Sequence, residues 1–162
     1  MARRPSGGTP ATMALDAAGI AYRARAYEHD PAAASYGLEA AELLGVAPER
    51  VFKTLLVDLD GGGLAVGIVP VDRQLDLKAI AAAAGAKRAT MADPKVAERV
   101  TGYVVGGISP IGQKRALPTV LDEAAAGFET ILVSGGKRGL DLELAPEDLL
   151  RATGAALVAI SR

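Results

Sequence analysis

The chain has no cysteine among its 162 residues. That excludes a disulfide framework, a thiolate metal site and a thiol nucleophile carried by the protein itself. Histidine occurs once, at His29, so a histidine metal cluster or a paired-histidine acid–base system is out of reach. Net charge is nearly absent as well: 18 Lys and Arg against 19 Asp and Glu leave −1. The chain-wide basic field of many nucleic-acid binders is therefore missing. Apolar runs are short and broken by Gly, Pro or charge, so none is long enough to span a membrane. The opening MARRPSGGTP has two arginines but no apolar h-region. It reads as a flexible leader over residues 1–8 and not as a secretory signal. The expected location is the cytoplasm.

What is present fits one globular domain over residues 9–162, with 50% hydrophobic and 23% charged residues. Helix signals come with caps. Thr9 and Pro10 open a helix that Gly19 stops. Further helices are expected over Leu38–Leu44, Leu77–Ala84 (capped by Asp76), Asp93-Pro94 to Gly102, and Pro146 to Gly154. Strand patterns cover Ile20–Tyr27, Val51–Leu59, Leu64–Val69, Tyr103–Ile108, Thr130–Val133, Leu140–Leu144 and Ala156–Ile160. Asp60-Gly61-Gly62-Gly63 reads as a hairpin turn. Several strand-to-strand links are too short for a helical crossover. The expected class is therefore α+β, a mixed or largely antiparallel sheet with helices around it.

Two glycine-rich segments carry the chemical signal. Thr101–Arg115 reads TGYVVGGISPIGQKR, an apolar run ending in glycines, a proline and two cations. Val133–Gly139 reads VSGGKRG and repeats the design. Both are expected to be loops whose free N–H groups, beside positive charge, suit a phosphate, a carboxylate or a terminal ribose. Tight turns alone would explain the glycines equally, and no P-loop or Rossmann fingerprint occurs. The paired cations Arg23/Arg25, Lys87/Arg88, Lys114/Arg115 and Lys137/Arg138 form either local patches or solvated faces.

Lys53 lies inside the apolar run VFKTLLV. If its face is buried, the ammonium needs an anion or a cleft; otherwise it is an edge lysine pointing at water. Ser109 and Ser134 sit in the glycine segments, but neither has a recognisable base, so ligand or loop hydrogen bonds suit them better than nucleophilic attack. Tyr27, Glu28, His29 and Asp30 make a polar cluster in which His29 suits structural hydrogen bonding. Asp141 reads either as the solvent face of a strand or as a carboxylate for a substrate ammonium.

Five ordered segments together resemble a known family. They are Tyr27-Glu28-His29-Asp30, Tyr36–Ala41, Val51–Leu55, Gly102–Lys114, and Val133–Leu140 continuing to Pro146. The chain is similar to the YbaK family of free-standing aminoacyl-tRNA editing domains, related to the editing insert of bacterial prolyl-tRNA synthetases. The resemblance implies a mixed sheet curled into a partial barrel with surrounding helices. It implies removal of wrongly attached amino acids from tRNA, with the nearest branch clearing cysteine from tRNA(Pro), and tRNA(Cys) as a further substrate. Lys53 matches the family's essential lysine. Gly106, Gly107, Ile108, Ser109 and Pro110 match its GxxxP loop, which holds the aminoacyl end, with N–H groups of Gly106 and Gly107 as oxyanion donors. Ser134, Gly135 and Gly136 match a second pocket loop, and Tyr27, Tyr36, Phe52 and Asp141 the pocket wall. No cofactor or metal is implied. The partners implied are mischarged tRNA and a prolyl-tRNA synthetase. Other readings are a water-using alanyl-tRNA(Pro) deacylase, a non-catalytic module that binds tRNA or a synthetase, and a small-molecule phosphate binder.

Overall fold

The computed structural model of the chain describes residues 8–162. The expected leader lies outside the described residues, except for Gly8. The first helix, α1 (Pro10–Ala18), is opened by a reciprocal cap: Thr9 and Thr12 each accept, through the side-chain oxygen, the other's backbone N–H. The remaining helices are α2 (Tyr36–Leu44), α3 (Leu77–Ala83), α4 (Pro94–Thr101) and α5 (Pro146–Thr153). α2 begins two residues before the sequence expectation because Ser35 accepts from the Leu38 N–H and so acts as N-cap.

The strands are β1 (Arg23–Ala26), β2 (Phe52–Leu59), β3 (Leu64–Pro70), β4 (Ala89–Met91), β5 (Thr119–Asp122), β6 (Ile131–Lys137), β7 (Leu140–Leu144) and β8 (Ala156–Val158). They form two sheets, ordered β1-β7-β6 and β4-β2-β3-β5-β8. The pairings of β1 with β7, β6 with β7, and β2 with both β3 and β4 are antiparallel; β3–β5 and β5–β8 are parallel. The fold is therefore mixed α+β. Among the described residues neither sheet closes on itself; a single parallel bridge between Val51 and Leu132 joins them. The largest apolar cluster includes Leu15, Phe52, Leu56, Ile68, Leu121, Val133 and Leu142, drawn from α1 and both sheets.

Three expectations change. Tyr103–Ile108 is not a strand. It is a loop in which only Tyr103 of the apolar side chains is buried, at 4% exposed with its hydroxyl donated to the Ile111 carbonyl at 2.7 Å, while Val104 is 52% exposed. The loop's backbone is satisfied locally, with the Val105 N–H on Glu98 Oε2 at 2.8 Å and the Gly107 N–H on the Val104 carbonyl at 2.8 Å. The second glycine segment is not a free loop, because Ser134 to Lys137 continue β6, with a register shift between Ser134 and Lys137. Gly135 and Gly136 lie in that bulge. Finally, β4 and β5 are strands where none was expected; they have three and four residues and, unlike the equally short β1 and β8, do not sit in a longer apolar or alternating run.

Candidate active site

The site forms where the two sheets part. β4 ends opposite Val57, and the last hydrogen bond along that edge of β2 runs from the Ala92 N–H to the Leu56 carbonyl, 3.0 Å. Beyond it, toward Phe52, no strand of that sheet among the described residues covers the outer edge of β2. β6 meets β2 only at the Val51–Leu132 bridge among paired residues. The gap between them is a cavity of about 260 Å³. Lys53, Thr54 and Leu55 line it from β2, Ser134 from β6 and Asp141 from β7. Gly106 and Ile108 enter from the loop after α4, Tyr36 and Gly37 from α2, and Tyr27 from the segment after β1. An uncovered strand edge explains how Lys53 and Thr54, on opposite faces by alternation, reach one cavity.

The walls are tied to one another. Gly106 has φ +87, and a Cβ there would lie 2.8 Å from the Tyr36 ring. The Arg138 guanidinium lies 5.1 Å from the centroid of the same ring, and its Nε donates to the Val105 carbonyl at 2.9 Å. The tip of the β6–β7 hairpin thereby holds both the glycine loop and α2. Gly37 lets α2 approach: a Cβ there would meet Val71 Cγ1 at 2.3 Å. His29 Nδ1 and Glu39 Oε1 are 2.7 Å apart, and Glu39 Oε2 accepts the Asp30 N–H at 2.7 Å. These contacts fasten the segment after Tyr27 to α2, a structural role for the one histidine.

Two charged groups inside the cavity are shifted. Burial lowers the Lys53 ammonium below the ordinary lysine value, opposed in part by the negative charge of Asp72. Burial pushes the Asp141 carboxyl up to about 7, with Arg25 pulling it down. Asp141 is only 5% exposed, which corrects the solvent-face reading. Arg25 is itself ion-paired with Glu143. Ser134 and Asp141 are directly opposed across β6–β7, so their side chains share a face. Burial also raises the Tyr27 phenol, with Asp141 adding to the effect.

The structure brings Lys53, Tyr27, Tyr36, Phe52, Gly106, Ile108, Ser134 and Asp141 to one cavity. It leaves Gly107, Ser109, Pro110, Gly135 and Gly136 outside the lining. The Gly107 N–H closes the turn onto Val104, so it is engaged and not presented as an oxyanion donor. Ser109 is fully buried and serves its own loop, its Oγ accepting the Ile111 N–H and its carbonyl accepting from Gln113 Nε2. Gly135 makes room for Leu140, whose Cγ would lie 2.6 Å from an added Cβ. Seven of the lining residues were not named as site residues from the sequence, Thr54 and Gly37 among them. A glycine near the start of a helix marks close approach and was the available signal for Gly37; Thr54 offered none.

Chemically, the cavity offers a cation, a carboxylate and an aromatic wall. Ser134 Oγ accepts the Gly136 N–H at 3.3 Å, and the one histidine is not among the lining residues. Among the described residues no cluster of His, Cys, Asp and Glu is placed to hold a metal ion, and no helix is long and apolar enough to cross a membrane.

Comparison with known proteins gives this geometry a context. The family model for the aminoacyl-tRNA editing domain matches residues 30–152. The chain belongs to this family. EbsC of Enterococcus faecalis, provisionally named a Cys-tRNA(Pro)/Cys-tRNA(Cys) deacylase, is 44% identical to this chain over 121 residues, 75% of this chain and 74% of its own. The multifunctional Ser/Thr-tRNA deacylase ProXp-y of Escherichia coli is 30% identical over 125 residues, 75% of each chain. A crystal structure provisionally described as a trans-editing enzyme for prolyl tRNA synthetase has a TM-score of 0.82 at 25% identity, covering 94% of this chain and 95% of its own. The matched span holds every residue of the candidate cavity except Tyr27.

Proposed function

We propose that this protein is a trans-editing deacylase that removes cysteine from mischarged tRNA(Pro), with Cys-tRNA(Cys) as a further substrate. The observation that carries the reading is a small cavity holding Lys53 and Asp141 without an activated nucleophile of its own. A pocket of about 260 Å³ fits a small aminoacyl group on a terminal ribose and excludes a large side chain. The name and 44% identity of EbsC support cysteine as the amino acid.

The chemistry then belongs to the substrate. The cysteine sulfur attacks its own ester carbonyl, forming the S–C bond of a cyclic thiolactone. The bond from that carbon to the ribose 3′-oxygen breaks, the thiol proton passes to that oxygen, and free tRNA leaves. The protein supplies a near-attack pose and stabilises the oxyanion. Lys53 anchors the terminal nucleotide and its phosphate as a fixed cation. Asp141 pairs with the substrate ammonium, and the Gly106 N–H faces the carbonyl. Partnership with prolyl-tRNA synthetase would raise local tRNA concentration and offset weak binding by a domain this small.

ProXp-y favours a second reading, in which serine or threonine is the amino acid removed and the side-chain hydroxyl, or water, replaces the thiol. Single-turnover deacylation of Cys-, Ser- and Ala-tRNA(Pro), above the uncatalysed background, separates the readings. Cysteine is expected to leave at least tenfold faster than alanine, and Lys53→Ala to lower the rate about a hundredfold or more with the melting temperature unchanged. Preference for serine would support the second reading. A fully active Lys53→Ala protein would sink both.

A further inference from the structure

Among the described residues, one buried side-chain polar atom has no hydrogen-bond partner: Thr54 Oγ1. It lies in the middle of β2, opposite the fully buried Ile68 in the β2–β3 pairing. By alternation it shares a face with Phe52 and Leu56, which are 2% and 3% exposed. A hydroxyl in such company is costly to leave unpaired, and a valine of similar shape would avoid the cost. Thr54 also lines the cavity that holds Lys53 and Asp141. The unmet hydroxyl and the cavity wall are therefore the same place.

The backbone around Thr54 is also open. The Leu56 carbonyl is bonded to Ala92, and the Asp60 N–H to the Arg88 carbonyl, so even-numbered residues of β2 turn their peptide groups toward β4. By the same alternation Thr54 turns its N–H and carbonyl to that side, but β4 has ended at Met91. Side chain and main chain of this residue both meet the site.

We propose that Thr54 is a specificity-determining residue, its hydroxyl hydrogen-bonding the side-chain heteroatom of the bound aminoacyl group. The proposal rests on the deacylase reading above. A thiol or hydroxyl on the substrate β-carbon satisfies Thr54; a methyl leaves it unpaired in an apolar wall. A site built to meet a polar atom rejects the analogue that lacks it far better than a greasy pocket rejects an isostere. Discrimination against alanine then comes from the pocket as well as from the missing nucleophile.

The test compares wild type, Thr54→Val and Thr54→Ser on Cys-, Ser- and Ala-tRNA(Pro). Valine is expected to lower the Cys/Ala and Ser/Ala ratios of kcat/KM about tenfold, while serine keeps them. Valine should also leave the melting temperature of the free protein unchanged or raised, since it removes an unmet hydroxyl. A second measurement needs no variant: wild-type protein should bind the 3′-cysteinyl amide of adenosine about tenfold more tightly than the isosteric 2-aminobutyryl amide. Unchanged ratios, an equal fall on all substrates, a valine variant that fails to fold, or equal binding of the two amides would overturn the proposal. Those outcomes leave the deacylase reading standing if the wild type turns over. A wild type inactive on all three tRNAs, even at high enzyme, would overturn both.

Discussion

At the residue scale, the informative groups are those that sit badly with their surroundings. A lysine and a threonine interrupt an apolar strand, and an aspartate is buried beside a β-bulge. Each is costly for the fold, which is the usual mark of a site. Asp141 makes the cost measurable. Its folded carboxyl titrates near 7, well above the ordinary value near 4. The native state therefore holds a proton that the unfolded chain has lost, and stability falls as pH rises from about 4 to about 7. Above that window Asp141→Asn should be more stable than wild type, by an amount on the order of a few kcal/mol, read from denaturant melts at pH 5 and pH 8. Paired with a substrate ammonium, the charged carboxylate is the useful form. Deacylation should accordingly rise as pH passes about 7, and the Asn variant should lose that limb. A parallel pH profile in both proteins would argue against amine recognition. None of this was legible in the alternation Leu140, Leu142, Leu144. That pattern marks the strand but leaves Asp141 open between the solvent face and a ligand carboxylate, because alternation cannot know that the polar face is covered.

At the element scale, the loop after α4 and the β6–β7 hairpin behave as one wall. The loop looks like a strand because Tyr103, Val104 and Val105 in succession supply the apolar density of one. The hairpin was misread as a loop because glycines in a bulge look like glycines in a turn. In both cases local composition was right and the backbone partner was missing from view. Gly106 is where the wall is most constrained. Its φ is +87, and an added Cβ would meet the Tyr36 ring. Gly106→Ala should cost about 1–3 kcal/mol through strain and steric displacement. It should also lower kcat/KM more than that loss of stability explains at a temperature where the variant is fully folded, because Tyr36 must move. Gly127→Ala is the control: among the described residues nothing lies within 4 Å of an added Cβ, and no positive φ opposes it. Matched melting and kinetic data on the two variants check the prediction.

At the scale of the whole molecule, a chain with net charge −1 must bind a polyanion through local cations. Among the described residues, Lys137 and Arg138 at the hairpin tip and Lys53 in the cavity lie beside the site, and Arg25, near Asp141, is ion-paired with Glu143. With so few phosphate contacts, the logarithm of tRNA affinity should fall with the logarithm of salt at a slope of roughly −1 to −3. A slope steeper than that, in a titration from low to physiological salt, would require a larger cationic surface than this one. The sequence by itself determined the helices, the β2–β3 hairpin, the α+β class and the family, because caps, hairpin turns and ordered motifs are local or linear properties. It also named most of the lining residues, since those travel with the motifs. Only the tertiary structure decided that β4 ends early, that β2 and β6 part beyond a single bridge, and that Asp141 is buried. It alone left Thr54 with an unmet hydroxyl. Those facts depend on which strand lies beside which, and pairing between residues far apart in the chain leaves no trace in the spacing of either one.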